Sequence, residues 1–377
     1  MEEKILFVSP TDYSQAQGST EAYYFSRKLA ERYKLVAIGP LSKPIPNARN
    51  LSIPRLLPNI LYYNIFLLPY LLYIGLKIRP SIVYTYKHVF LLPLLLKFLI
   101  DSTWIFDLQA PPRQKVQFNY LENKSKVEIL HSILNDYFHV LFMRYCDLII
   151  TLSEELGELC QRRYRIDEKK IIVIPLGVKI EKFESTTAFN KVEKDGLELV
   201  YIGSITRFRG IDVCIRAMSH LPSDVLLRII GSDSNEIKRL KNLSKAIGVY
   251  DRIIFQGGIP HNKVPTYLRN ADVALSPLPN LKPFKVSSPA KIFEYLGAGL
   301  PIIATDILPH RKILEEQNDA LFFHPDNPRM LADRIKRLYK DSELRKRMSN
   351  LARWKAVKNT WGTRFKKLEK VIRRIHQ

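Results

Sequence analysis

The stretch Ser287–Asp306, SSPAKIFEYLGAGLPIIATD, decides how the rest of the chain is read. It parses as a Ser/Pro loop, a short helix from about Ala290 to Leu296, a Gly-Ala-Gly stop, and a buried strand over Pro301–Ala304. The first N–H groups of a helix lack intrahelical acceptors and sit at the positive end of its dipole, so a phosphate fits at Ser287 and Ser288. Lys291 and Glu294 are three residues apart and share one helical face, which offers a cation and a carboxylate to a single ligand. The cation suits a phosphate and the carboxylate a sugar diol. An isolated K-x-x-E pair is otherwise an ordinary solvated ion pair. Here the pair comes late in a run of alternating strands and helices, and open parallel sheets bind ligands beyond the carboxyl ends of their strands.

Working outward, 377 residues exceed what one common core needs, and 46% hydrophobic residues are ample for two buried sheets. The cysteines, Cys146, Cys160 and Cys214, lie far apart without metal-ligand spacing and read as reduced core residues of a cytoplasmic protein. The opening MEEKILFVSP has neither a basic flank nor a cleavage site, so no secretory leader is expected. With 59 Lys and Arg against 37 Asp and Glu the formal charge is +22, which calls for an anionic partner: nucleic acid, a phospholipid surface or a phosphorylated substrate. Residues 329–377 hold 17 of the cations and 4 of the acids, so the charge is polarised toward the last helices. Those helices read either as solvated faces or as a basic flank for anionic lipid.

In the amino-terminal half, the strand Lys4–Val8, a loop containing Gly18 and a helix over about Thr20–Arg32 make a weak phosphate cradle. Leu56–Leu76 carries no charge and is long enough to span a bilayer. Pro58, Asn59, Asn64 and Pro69 interrupt it, so it reads as a broken apolar crossover helix. Together with Leu91–Ile100 and the aromatics Tyr62, Tyr63, Phe66, Tyr70 and Tyr73, it either packs inside the domain or dips into a membrane interface. Lys87 and His88 follow the strand Ile82–Tyr86, and Gln109 follows Trp104–Leu108, all at carboxyl ends. Asp107 reads as a base or, more readily, as a structural cap.

In the other half, the strand Glu198–Ile202 runs into Gly203, Arg207, Arg209 and Gly210. Arginines offer planar, permanently charged donors suited to a diphosphate. Strands and helices then alternate as a second doubly wound domain requires. Main chain at Gly231 and Gly257–Ile259 is placed to flank a base, and Lys282 and Lys285 stiffen or charge the loop before the key helix. The expected division is 1–178 plus about 360–377, a linker 179–195, and 196–359.

PAKIFEYLGAGLPIIATD resembles the donor-binding signature of retaining glycosyltransferases of the GT-B fold, family 4 (glycosyl transferases group 1). Glu294 matches the second Glu of that signature, which holds the ribose. Val286 stands where many members carry a first Glu, so the hold on the donor sugar differs here. CDLIITLS (146–153) and PLGV (175–178) resemble two further segments, with Leu176 where Asn is commoner. Arg209 stands at the family's diphosphate-binding lysine, and Gln109 near a His that touches acceptor or donor sugar.

The resemblance implies an α/β fold of two Rossmann-like doubly wound domains facing across a cleft. A final helix crosses back, by way of the region Trp354–Trp361. It implies Arg209, Lys291 and Glu294 as catalytic residues, and Gly18, Gly203, Arg207, Ser287 and Ser288 as donor-binding ones. Lys87, His88, Asp107 and Gln109 become acceptor or sugar contacts.

The implied reaction moves a sugar from a UDP- or GDP-sugar to a hydroxyl, with retention, the leaving phosphate taking the acceptor's proton. The acceptor is a lipid-linked glycan or another glycoconjugate precursor. No cofactor or metal is expected, since no Asp-x-Asp motif occurs and cations stand in. The expected partners are the donor, the acceptor and an anionic membrane surface on the cytoplasmic face. No nucleic-acid partner is expected, for want of a recognition motif or base-stacking aromatics in the tail. A sugar-nucleotide epimerase, a basic nucleic-acid binder and a catalytically dead partner subunit remain the rival readings, the last made conceivable by Val286 and Gln109.

Overall fold

The structure, a computed structural model, describes residues 3–14, 21–54, 61–86, 89–111, 117–119, 125–184 and 196–375. Gly18, Lys87 and His88 lie outside them. The chain divides into two compact units. One comprises Met1–Leu176, Val286–Ser288 and Arg364–Gln377, the other Gly177–Lys285 and Pro289–Thr363.

Short runs of Ile, Val, Leu, Phe and Tyr such as KILFV, IVYTY and LELVYI are apolar at successive positions, as strands buried on both faces of a parallel sheet must be. In the first unit seven parallel strands form: β1 (Lys4–Val8), β2 (Lys34–Gly39), β3 (Arg49–Ser52), β4 (Ile82–Tyr86), β5 (Thr103–Leu108), β6 (Leu148–Thr151) and β7 (Ile171–Val173). Their order is β3-β2-β1-β4-β5-β6-β7. In the second unit six more, β8 (Leu197–Ile202), β9 (Val225–Ile230), β10 (Ile253–Gly257), β11 (Val273–Ser276), β12 (Ile302–Thr305) and β13 (Ala320–Phe323), run β10-β9-β8-β11-β12-β13. Both are doubly wound, as the sequence leads one to expect. The order reverses between β1 and β4 in one sheet and between β8 and β11 in the other, and such reversals open the ligand crevices of this architecture.

Helices cover both faces. Leu71, Leu92 and Leu96 bury one face of the first sheet, and Trp104, Phe106, Cys146 and Cys160 form a second cluster in the same unit. In the second unit Tyr201, Cys214, Leu227, Leu275 and Ile303 share one core with Leu331 and Met348. All three cysteines are buried and unbridged.

The uncharged stretch breaks as its prolines and asparagines demand. Tyr62–Phe66 forms a π-helical turn, and a helix over Leu68–Ile78 starts with Pro69 in its first turn. Asn64 Oδ1 accepts the N–H groups of Phe90 (2.8 Å) and Leu91 (2.9 Å), at the start of the helix Leu91–Ile100. The two helices meet so closely that a Cβ on Gly75 would stand 2.6 Å from Leu96 Cδ1. Leu71 and Ile74 face inward, as packing inside the domain requires, while Tyr70 and Tyr73 are exposed. Among the described residues no helix is long and apolar enough to cross a membrane.

Two boundaries differ from expectation. Part of the supposed linker is folded, with a helical turn at Glu181–Glu184. The cause is packing: a Cβ on Gly297 would lie 2.8 Å from Val178 and 3.0 Å from Phe183, so both side chains fit where only glycine leaves room. Residues 185–195 lie outside the described set. The return to the first unit is made by Arg364 onward, within the expected segment of about 360–377 but past the Trp354–Trp361 region. Phe365, Leu368 and Ile372 line one face of the helix Trp361–Ile375 and are buried, and Arg364 Nε donates to Leu176 O at 3.1 Å. Trp354 lies off the buried face of the preceding helix, which is formed by Leu344, Met348, Ala352 and Ala356, and it stays exposed.

Candidate functional site

The site grows from the tip of β8. Its last N–H, on Ile202, donates to Tyr295 Oη (3.0 Å), and that hydroxyl donates to Leu275 O on β11 (3.2 Å). One phenol therefore pins the helix Ala290–Ala298 across the point where the strand order reverses. Lys291 lies about one helical turn before Tyr295. Its ammonium rests 3.7 Å from the centroid of the Tyr201 ring, and a Cβ on Gly203 would come within 3.2 Å of Nζ. The absent side chain at Gly203 is what leaves the amine its place.

Beyond β8 the turn Arg207–Arg209 closes with the Arg209 N–H donating to Thr206 O at 3.0 Å. Gly210 ends it at φ +68, where a Cβ would stand 2.0 Å from Pro277 O. A residue with a side chain would be strained by the angle and blocked by the carbonyl. This close approach seats the turn against the end of β11 and sets Arg209 beside Phe284, its guanidinium 5.2 Å from the ring centroid. Arg209 is near enough to Lys291 to affect its charge. Burial first, then the Arg209 guanidinium, hold the Lys291 pKa well below that of a free lysine, and Glu294 opposes them more weakly. The result is an amine whose strongest charged neighbour, the Arg209 guanidinium, disfavours its protonation. Arg207, on the same turn, is exposed.

Glu294 points toward β10. Its Oε1 is 2.7 Å from His261 Nε2, and His261 Nδ1 is 3.3 Å from Lys182 Nζ. An ammonium only donates, so Nδ1 accepts and Nε2–H donates to the carboxylate. The chain Lys182–His261–Glu294 fixes the carboxylate's orientation. Between Lys291 and Glu294 the main chain steps along the strand ends: Gly203 N–H donates to Ile230 O (3.0 Å), and Gly231 N–H to Gly257 O (2.9 Å). A Cβ on Gly231 would sit 2.1 Å from Gly203 O, so this close stacking of backbone requires glycine.

Behind the site lies His310, fully buried at the ends of β11 and β12. Its Nδ1–H donates to Thr305 O (2.8 Å), and Nε2 accepts from Ser276 Oγ (2.9 Å). Burial, with a smaller push from Lys291, pulls its pKa down to about 4.

The structure thus brings Gly203, Arg209, Lys291 and Glu294 together on the second unit. Ser287 and Ser288 do not cap the helix: its N-cap is Pro289, without a side-chain capping bond, and Val286–Ser288 group with the first unit. The reason is local. Val286 packs on the Trp104–Phe106 cluster and its carbonyl accepts from Ser153 Oγ (2.9 Å), while the serine before a proline is pushed out of helical conformation. The serine hydroxyls therefore make no capping bond to this helix.

In the first unit, Asp107 is fully buried on β5, accepting from Tyr84 Oη at 2.6 Å and from the Gln109 amide. Glu21, at the start of the helix Glu21–Ala30, is also buried. Burial foremost, and then these two carboxylates, raise the Tyr86 pKa well above its ordinary value. Asp107 so placed orients Gln109.

His261, Tyr201, Tyr295, Lys182, Glu21 and His310 were not singled out from sequence. For His261 the available signal was its place just past β10, at a carboxyl end. Among the described residues no group of three or more His, Cys, Asp and Glu could hold a metal ion.

The sequence model described as glycosyl transferases group 1 matches residues 183–355. A D-inositol 3-phosphate glycosyltransferase of Xylanimonas cellulosilytica is 24% identical over 229 residues, 57% of this chain and 54% of that protein. The chain thus spans about half the length of the curated relatives it matches. Among solved structures, a glycosyltransferase from Rickettsia africae has a TM-score of 0.76 at 16% identity, covering 100% of this chain and 99% of its own. An Anabaena protein in complex with UDP has a TM-score of 0.72 at 14% identity, over 98% and 99%. At such identities these two likenesses establish the fold.

Proposed function

We propose, from the match of residues 183–355 to the glycosyl transferases group 1 model, that this chain moves a sugar from a nucleoside diphosphate sugar to a hydroxyl acceptor. The observation that carries this reading is the Lys291 ammonium, desolvated and held beside Arg209 at the tip of β8. The Arg209 guanidinium disfavours a proton on the neighbouring Lys291 amine, and an anion of comparable charge arriving between them would balance both. A diphosphate is such an anion, and the first turn of the helix Ala290–Ala298 adds N–H donors to it. The Anabaena protein of this fold was solved with UDP, which supports the same ligand class. In this reading the ribose hydroxyls meet Glu294, and the base lies along the main chain at Gly231 and Gly257.

The chemistry follows from where charge develops. As the bond from the sugar's anomeric carbon to the diphosphate oxygen breaks, its electron pair moves onto the diphosphate. Arg209 and Lys291 stabilise that charge more strongly in the transition state than in the bound donor, which is the condition for acceleration. The acceptor oxygen bonds to the anomeric carbon, and its proton passes to the departing phosphate on the same face, giving retention. Both cations supply what a divalent metal would, so we read the reaction as metal-independent. We take the acceptor to be a lipid-linked glycan or related glycoconjugate precursor, bound on the first unit near Gln109.

The test is calorimetric titration of UDP and GDP, with turnover of the matching sugar nucleotides. Lys291→Ala and Arg209→Ala should each lower kcat by about a hundred- to a thousandfold if each cation acts like an oxyanion-hole donor. Unchanged nucleotide binding and turnover in both variants would refute the site.

A further inference from the structure

We propose that the outer face of the helices Leu68–Ile78 and Leu91–Ile100 seats the protein on an anionic lipid bilayer. Buried on one side, these helices are apolar on the other as well: Phe66 is 62% exposed, Tyr73 62%, Phe98 71% and Leu99 57%. Single exposed apolar side chains are ordinary on a monomer, whereas a contiguous patch marks an interaction surface. Contiguity is given by the contact of Gly75 with Leu96 and by the bonds from Asn64 to Phe90 and Leu91. The patch continues onto the helix Lys126–Met143, whose Phe142 ring stacks on Phe90 at 5.2 Å. On that helix Val127, Leu130, Leu134, Tyr137 and Phe138 are all exposed, at spacings that follow one helical stripe.

Charge selects the occupant. Lys77 and Arg79, at the end of the helix Leu68–Ile78, are exposed, and neither this helix nor Leu91–Ile100 carries an Asp or Glu, Lys97 being paired with Asp147. A second copy of the chain, docking the same face on itself about a twofold axis, would bring these cations against their own kind. A bilayer of anionic lipid meets both properties at once. Its headgroups attract the cations, and its interfacial zone accepts Phe and Tyr rings at the depth where they prefer to lie. Lys77, with its ammonium 6.0 Å from the Tyr73 ring centroid, has the stem length to keep its charge among headgroups while its neighbour dips below. The short helices lie in the interface without crossing it, consistent with the absence of any spanning helix among the described residues.

The inference extends the proposed function by giving its acceptor a location, but it is read out without donor or acceptor. Co-sedimentation of the full chain with phosphatidylglycerol vesicles should be strong at low salt and weak at high salt, and weak with phosphatidylcholine vesicles throughout. The triple variant Phe66→Ser, Tyr73→Ser, Phe98→Ser should bind at least about tenfold less while keeping its melting temperature and its affinity for UDP, since these side chains are already exposed. Lys77→Glu with Arg79→Glu should weaken binding to phosphatidylglycerol alone. No co-sedimentation, or binding indifferent to both variants, would overturn the proposal. So would light scattering that shows a dimer disrupted by the triple variant.

Discussion

Acidification should unfold the second unit by way of His310, and the size of the effect can be worked from its surroundings. The imidazole is fully buried, donates to Thr305 O and accepts from Ser276, and its pKa falls from 6.5 to about 4. For a base, a depressed folded pKa means that the unfolded chain binds the proton more readily. Stability is therefore complete above about pH 6.5 and is lost as pH falls toward 4. The shift is 6.5 − 4 = 2.5 units, and at 1.36 kcal/mol per unit its ceiling is about 3.4 kcal/mol. Between the limits, about 2 kcal/mol should be gone by pH 5 and about 3 by pH 4. Other groups also titrate in this range, so the measurement is a difference. Hydrogen–deuterium exchange of β11 and β12 peptides, corrected for intrinsic exchange, would be compared at pH 7, 5 and 4 in the wild type and His310→Asn. The variant starts less stable, because Asn cannot serve both Ser276 and Thr305 as the imidazole does, but it should lose about 3 kcal/mol less than the wild type between pH 7 and 4. Equal losses in the two proteins would show that His310 is not held neutral, and the buried network behind the site would have to be redrawn.

Two further outcomes test how the site is built. Gly210→Ala places a Cβ 2.0 Å from Pro277 O at φ +68, so it should cost at least about 2 kcal/mol and lower both the melting temperature and nucleotide affinity. Wild-type melting would mean the turn carrying Arg209 is not pressed against β11. His261→Ala removes the donor that orients Glu294 and should raise the donor KM by about tenfold with little change in kcat, whereas His261→Gln, which restores a donor, should recover most of the loss. A KM unmoved in both variants would show that the pair has no part in positioning the ribose.

Much of the fold was legible because strands buried on both faces leave short, mostly apolar runs rich in β-branched and aromatic residues, such as IVYTY and LELVYI. Edge positions are where this signal fails. β3, RNLS, pairs with β2 alone and is only partly buried, so nothing in its composition marks it. The Lys291–Glu294 spacing was legible because helix geometry puts both on one side. His261 was not, since its partner Glu294 is 33 residues away and only the fold brings them within 2.7 Å.

Val286 explains how this chain manages without a second acid. The side chain packs on the cluster of Trp104 and Phe106, and the carbonyl is taken by Ser153. A carboxylate at that position would trade apolar contact for an ion set against aromatic rings, so the residue is committed to packing. Glu294 then stands as the carboxylate of the site, and the Lys182–His261 chain behind it supplies the orientation that a partner acid would otherwise share. On the proposed reading, recognition of the donor would lean on the cations Arg209 and Lys291 at its diphosphate end more than on paired acids at its sugar end.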